Sequence, residues 1–327
     1  MRHPGQKLRI LVLDPAPGEY TDFYHPLGRL GRVDFYPSIA EITEAAAASG
    51  PEEHPAMLLD LDTLAAADKA QVQRVLSFRP GIPAGAVTAT PPEEHLELLG
   101  NHGLLQTIVK TPPTNPGEAM HLVECVVDPA SGFGLFSYLQ NTIEMYNLSI
   151  STMAEKNRSV ERVINHFATA GFDVHQLFDV RLILEEAINN AFYHAFRLPS
   201  GEKKYNPRTF QSLESQERIR IEYGTSAEGA GFTVSDNAGT LRPEVVLDRF
   251  YGQVRQTGTF DVHGRGLHLS RLLSSFYIIN IEERKRTQII ALFDSRRRTS
   301  RPKPLMINFI GNRTGSLVWT PPERDLD

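Results

Sequence analysis

The chain has 327 residues, of which 41% are hydrophobic and 22% charged, with a formal net charge of −5. That composition supports a core and excludes wholesale disorder, and the length suggests two domains. The acidic balance disfavours a predominantly basic nucleic-acid binder, and the single cysteine, Cys125, excludes an intramolecular disulfide and a cysteine-rich zinc site. No apolar run approaches the roughly 18 residues of a membrane span, and the opening apolar stretch meets Asp14 and Pro15 too soon to be a signal peptide, so a cytoplasmic protein is expected.

Residues 1–127 alternate strand-like and helix-like segments. Leu8–Leu13, Val33–Tyr36, Ala56–Leu61, Gly85–Thr88 and Leu105–Val109 read as strands. Ser38–Ala48, Ala65–Phe78, Pro92–Leu99 and Pro116–Val127 read as helices between them. That alternation predicts crossover units and a doubly wound parallel sheet. A turn-rich stretch from Asp128 opens a linker, 128–146, in which Leu135–Tyr146 is expected to be a connecting helix. A second domain, 147–327, follows. It should hold a strand at Asn147–Met153, helices at Asn157–Ala170 and Val174–Phe196, and a polar inserted loop over 200–216. Strands are expected at Arg218–Tyr223 and Gly231–Val234, helices at Arg242–Phe250 and Gly266–Phe276, and strands at Tyr277–Glu282, Thr287–Asp294 and Leu305–Ile310.

Ligand sites in a doubly wound sheet lie at the carboxyl ends of the strands, where Asp14, Asp60, Thr88 and Lys110 each close an apolar run. Two carboxylates, a hydroxyl and an ammonium converging there would suit phosphoryl transfer to an aspartate. The segments LVLDP, LLDLD, AVTAT and IVKTPP resemble the receiver domain of bacterial response regulators. The resemblance implies that Asp60 is the phosphoacceptor, with Asp62 the weaker choice, Thr88 the switch hydroxyl and Lys110 the charge partner. It also implies that Asp14 and Asp60 hold a divalent cation. Pro15 stands where a second acid is usual, which implies weaker metal binding.

In the second domain, Glu186, Asn190 and His194 recur every four residues and share one helical face. A carboxylate there suits a base and an amide oxygen suits magnesium. The strand ending in VSDNAG offers Asp236 as an acceptor for an exocyclic amine. Gly264-Arg265-Gly266 opens a helix whose amides favour phosphate. The order Glu-x-x-x-Asn, Asp-x-x-Gly, Gly-x-Gly, Thr resembles the Bergerat ATP-binding fold of histidine kinases, gyrase-type ATPases, chaperones and anti-sigma-factor serine kinases. The words EEAINNAFYHAF, VSDNAG, HGRGLHLS and NIEERKRTQII resemble the anti-sigma branch. The implied fold class is a receiver-like α/β domain followed by an α+β sandwich of the histidine-kinase-like ATPase type. The implied ligands are ATP and Mg²⁺: Glu186 as catalytic base, Asn190 on the metal, Asp236 on the adenine amine with Gly239 beside the ring, Gly264, Arg265 and Gly266 at the phosphates, and Thr287 near the adenine.

A histidine kinase would need an acceptor histidine in a helical hairpin, whereas His166, in VINHFATAG, reads as a partly buried core residue. His194 reads as a packing residue, and the basic turn of Arg296–Arg298, Arg301 and Lys303 as a solvated loop. Gyrase and chaperone readings need more chain after residue 294. Two functions stand. One is a receiver-regulated serine/threonine protein kinase, an anti-sigma-like regulator in a partner-switching pathway. It would act on an anti-sigma antagonist or a sigma-factor-like protein, with a sensor histidine kinase upstream and a homodimer as its assembly. The other is a non-catalytic adaptor that sequesters a protein partner on a degenerate ATPase fold. Neither requires a membrane or nucleic acid.

Overall fold

The computed structural model describes residues 8–78, 80–111, 116–139, 141–254, 265–294, 302–311 and Trp319. They form two compact units. The first comprises the described residues up to Gly132 with 302–306 and Trp319; the second comprises 133–294 and 307–311. Among the described residues no helix is long and apolar enough to cross a membrane.

In the first unit, β1 (Leu8–Leu13) is followed by short helical turns that include α1 (Thr21–Tyr24). Pro15, Pro17, Pro26 and Gly28 keep this stretch from becoming one regular helix. Then come β2 (Gly31–Tyr36), α2 (Ile39–Ala48), β3 (Pro55–Asp60), α3 (Leu61–Ala66), α4 (Lys69–Leu76), β4 (Ala84–Thr88), α5 (Leu96–His102), β5 (Gln106–Val109) and α6 (Pro116–Val127). The strands run parallel in the order β2-β1-β3-β4-β5, the doubly wound arrangement expected from the alternation of strands and helices. The single helix expected over Ala65–Phe78 is two, because the Asp68 carboxylate accepts from Gln71 N and starts α4 as its N-cap. Leu305 and Met306 pair antiparallel with Thr107 and Gln106 of β5.

In the second unit, β6 (Thr142–Ile150) leads into α7 (Met153–Thr169) and α8 (Val174–Asn190). The connecting helix expected at Leu135–Tyr146 is not there. Gly134 and Asn141 both have positive φ, and Thr142, Ile143 and Tyr146 belong to β6, paired antiparallel with β7 (Ile219–Ser226). β-Branched and aromatic residues facing an available strand outweigh a loosely helical spacing. Both α7 and α8 start in capping boxes, Thr152 with Glu155 and Asp173 with Gln176. Then follow β8 (Gly229–Asp236), α9 (Pro243–Val254), α10 (Arg265–Leu273), β9 (Phe276–Glu282) and β10 (Arg286–Asp294). The antiparallel order is β9-β10-β8-β7-β6. The last strand, β11 (Leu305–Ile310), contributes its second half to this unit, where Asn308 donates to Asn280 (2.7 Å) and Glu283 N donates to the Ile310 carbonyl (2.8 Å). Residues 200–216 are ordered by packing: Phe210 lies 4.7 Å from the Phe192 ring centroid, and Lys204 pairs with Glu214 and Glu217, each at 2.7 Å.

Candidate functional site

The first unit brings three of its four expected residues together. Lys110 leaves the end of β5 and places Nζ 2.7 Å from Asp14 Oδ2 and 3.0 Å from Asp60 Oδ1. Their side chains are 4%, 0% and 3% exposed, so this is a sealed cluster of two carboxylates and one ammonium. Burial alone would lower the lysine's pKa, but the hydrogen bond to Asp14 and the charge of Asp60 hold it above the ordinary value. Asp14 Oδ1 also accepts from Ala16 N (2.9 Å), and Oδ2 from the Tyr24 hydroxyl (2.6 Å). Asp60 is the N-cap of α3, and its Oδ2 accepts from Thr63 N (3.0 Å) and Thr63 Oγ1 (2.6 Å). The Tyr20 ring lies over the ammonium, 4.3 Å from Nζ to centroid.

Thr88 bonds elsewhere. Its hydroxyl is 3.2 Å from Asp62 Oδ2 and accepts from Thr90 N (3.0 Å). Asp62 also accepts from Ala89 N and Thr90 Oγ1, each at 2.8 Å, and meets His95 Nε2 at 3.1 Å. Burial would raise Asp62, but those donors together hold it below the usual carboxylate range. The cluster does not fit a divalent cation. Both Asp14 oxygens already receive protein donors, and among the described residues no group of three or more His, Cys, Asp or Glu side chains could hold a metal.

The second unit brings a different set of expected residues together. Along α8, Asn190 Nδ2 donates to Glu186 Oε1 at 3.2 Å, which leaves the amide oxygen turned away from the carboxylate. After Asn190 the helix continues as one π turn, Ala191–Ala195, a widening often found at functional positions. The Glu186 carboxylate lies against the α-carbon of Gly266, the second residue of α10, so closely that a methyl group there would overlap it. An anion at the first turn of a helix is favoured by the helix dipole. Gly264 lies outside the described residues, as do the side chain of Arg265 and the stretch Arg296–Arg298 with Arg301.

At the end of β8, Asp236 is 7% exposed, and its Oδ1 accepts from Ala238 N (2.9 Å) and Gly239 N (3.2 Å). Thr287 is its register partner across β10 and adds backbone and side-chain hydrogen bonds. Burial dominates over all of these and pushes the carboxyl up to about 6. Gly239 has φ +59°, and a Cβ there would overlap the Glu282 carbonyl oxygen and the Lys285 nitrogen, so this glycine is required by the β9–β10 turn packed on it.

Three residues escaped the sequence reading. Tyr20 and Tyr24, four apart after Pro17, sit on the Asp14 cluster; their spacing was the available signal. Lys156 extends the apolar stripe of Val160, Val163 and Phe167 by one turn and is 7% exposed, donating to Asn189 Oδ1 at 2.7 Å. Burial lowers its pKa against the charges of Glu185 and Glu186. His166, partly buried, meets the stacked rings of Tyr146 (5.2 Å) and Tyr223 (5.4 Å) edge-on.

Residues 150–292 match the family described as "Histidine kinase-like ATPase domain". Comparison with curated proteins gave no match. Among solved structures, the chain is similar to a response regulator receiver domain protein (CheY-like) from Methanospirillum hungatei JF-1, at 18% identity and TM-score 0.32, over 39% of this chain and 99% of that one. It is also similar to the response regulator DrrB of Thermotoga maritima, at 17% identity and TM-score 0.29, over 36% of this chain and 52% of that one. A third similarity is to the response regulator LqsR of Legionella pneumophila, at 10% identity and TM-score 0.27, over 89% of this chain and 88% of that one. The receiver-like assignment rests on the strand order β2-β1-β3-β4-β5 itself. The chain thus joins a unit of receiver-like fold to a histidine kinase-like ATPase domain.

Proposed function

We propose that this protein is a cytoplasmic signal-transduction regulator whose second unit binds ATP with Mg²⁺ and phosphorylates a serine or threonine of an antagonist protein in a partner-switching circuit. The observation that carries the reading is the meeting of Glu186, Asn190 and Gly266 at the start of α10. Glu186 is held where it can orient or deprotonate a substrate hydroxyl. Asn190, with its Nδ2 committed to Glu186, presents an amide oxygen that suits Mg²⁺. Bound there, the cation would neutralise charge on the transferring phosphoryl group. The α10 amides supply further anion stabilisation, and Asp236, backed by Thr287, accepts from an adenine amine.

Incubation of the full chain with labelled ATP, Mg²⁺ and candidate antagonist domains tests this, beside a Glu186→Ala control. Label transferred by the wild type and lost in the control is the expected result. Transfer that survives the substitution removes Glu186 from the mechanism. Nucleotide binding without any transfer assigns the protein to the adaptor class instead.

A further inference from the structure

We propose that the N-terminal unit is a receiver-like module held permanently in one state by an internal Lys110–Asp14–Asp60 ion cluster sealed by Tyr24, so that it takes neither a divalent cation nor a phosphoryl group at Asp60. Three observations carry this. First, the Asp14 carboxylate has no oxygen to spare: Ala16 N, the Tyr24 hydroxyl and the Lys110 ammonium reach it at 2.9, 2.6 and 2.7 Å, with the side chain fully buried. A cation arriving there would have to displace a hydroxyl and an ammonium from a site that water does not reach.

Second, Asp60 is held at both oxygens in different ways: its Oδ2 caps α3 through Thr63, and its Oδ1, buried and without a hydrogen bond of its own, faces the same ammonium at 3.0 Å. An acyl phosphate formed on either oxygen would place its bulk in a site only 2% exposed, roofed by the Tyr20 ring. Third, Thr88, the hydroxyl that would follow a phosphoryl group, is held on Asp62 and Thr90. Pro15 stands next to Asp14 and offers no carboxylate, and Ala16 N and the Tyr24 hydroxyl close on Asp14 instead.

Incubating the full chain with Mg²⁺ and labelled acetyl phosphate tests this directly, since transfer to Asp60 would form an acyl phosphate and release acetate. The expected result is no label on the peptide containing Asp60. Any label that does appear should be unaffected by Asp60→Asn. Stoichiometric label lost on Asp60→Asn overturns the proposal. A second arm restores the acid and removes the hydroxyl in a Pro15→Asp, Tyr24→Phe chain, with Mn²⁺ binding read by electron paramagnetic resonance. At least tenfold tighter binding than wild type is expected. Equal binding by a folded variant overturns the occupancy argument, and if the variant does not fold, the labelling arm still decides.

Discussion

Nucleotide affinity should depend on pH through Asp236. Burial pushes this carboxyl up to about 6, and an adenine amine donates more strongly to the ionised form than to the neutral acid. One pH unit below that value, about a tenth of the population is ionised, so affinity at pH 5 should be lower than at pH 8 by up to about tenfold. Adenosine is the right probe, because it carries no phosphate to titrate in the same range. Calorimetric titration at pH 5, 6, 7 and 8 should trace a single ionisation, and Asp236→Asn should flatten it. The same group predicts the stability profile. Because the folded value lies above the unfolded value near 3.9, the native state binds more protons between pH 4 and 6. Stability therefore falls as pH rises through that window, by about 3 kcal/mol for a shift of about 2 units, and is level above it. An adenosine affinity constant from pH 5 to 8, or the same profile in Asp236→Asn, would refute the reasoning.

Lys110→Met should destabilise the chain by about 3–5 kcal/mol in urea unfolding, because it leaves two buried carboxylates without their cation; a loss under about 1 kcal/mol would contradict the ion-cluster description. Gly266→Ala should abolish phosphotransfer while leaving the circular dichroism spectrum unchanged, since the added methyl displaces the Glu186 carboxylate; retained transfer would separate the two residues. Gly239→Ala should cost at least ~1–2 kcal/mol, from a left-handed backbone and overlap with the β9–β10 turn, and thermal unfolding would show it. Phe210→Ala should loosen residues 200–216 and raise their amide exchange, at a cost of about 1–3 kcal/mol.

Much of the fold was legible because it is written in local periodicity. Four buried runs and the half-exposed Gly31–Tyr36 announce the parallel sheet of the first unit, whereas α7 begins at Met153, four residues before the expected Asn157, because Thr152 and Glu155 cap it. The site residues on α8 were legible for the same reason, since Glu186 and Asn190 are set by the helix repeat alone. What was hidden depends on partners distant in sequence. Thr142–Ile150 is a strand because β7 lies beside it, some 75 residues on in the chain. The polar stretch 200–216 is ordered because Phe210 finds Phe192. The sealing of Asp14 required Lys110, 96 residues away, and a tyrosine hydroxyl whose direction no spacing rule supplies.

Asp14 and Asp236 are both aspartates at the carboxyl end of a buried strand, and the contrast between them separates a structural carboxylate from a ligand-seeking one. Asp14 is met by an ammonium, a hydroxyl and a backbone amide, and its charge is balanced within the chain. Among the described residues Asp236 receives backbone amides and Thr287 but no cation, and burial still dominates, so its ionised form is under-compensated. A buried carboxylate in that condition gains from any donor that enters beside it, and an exocyclic amine is a donor of the right size and polarity. At Asp14 an incoming donor or cation would gain nothing that Lys110 and Tyr24 do not already supply. The same strand-end position therefore gives a closed carboxylate in one unit and, on the proposed reading, a receptive one in the other, and the deciding difference is the ammonium that Lys110 delivers to Asp14, since Asp236 has as many hydrogen-bond donors but burial outweighs them.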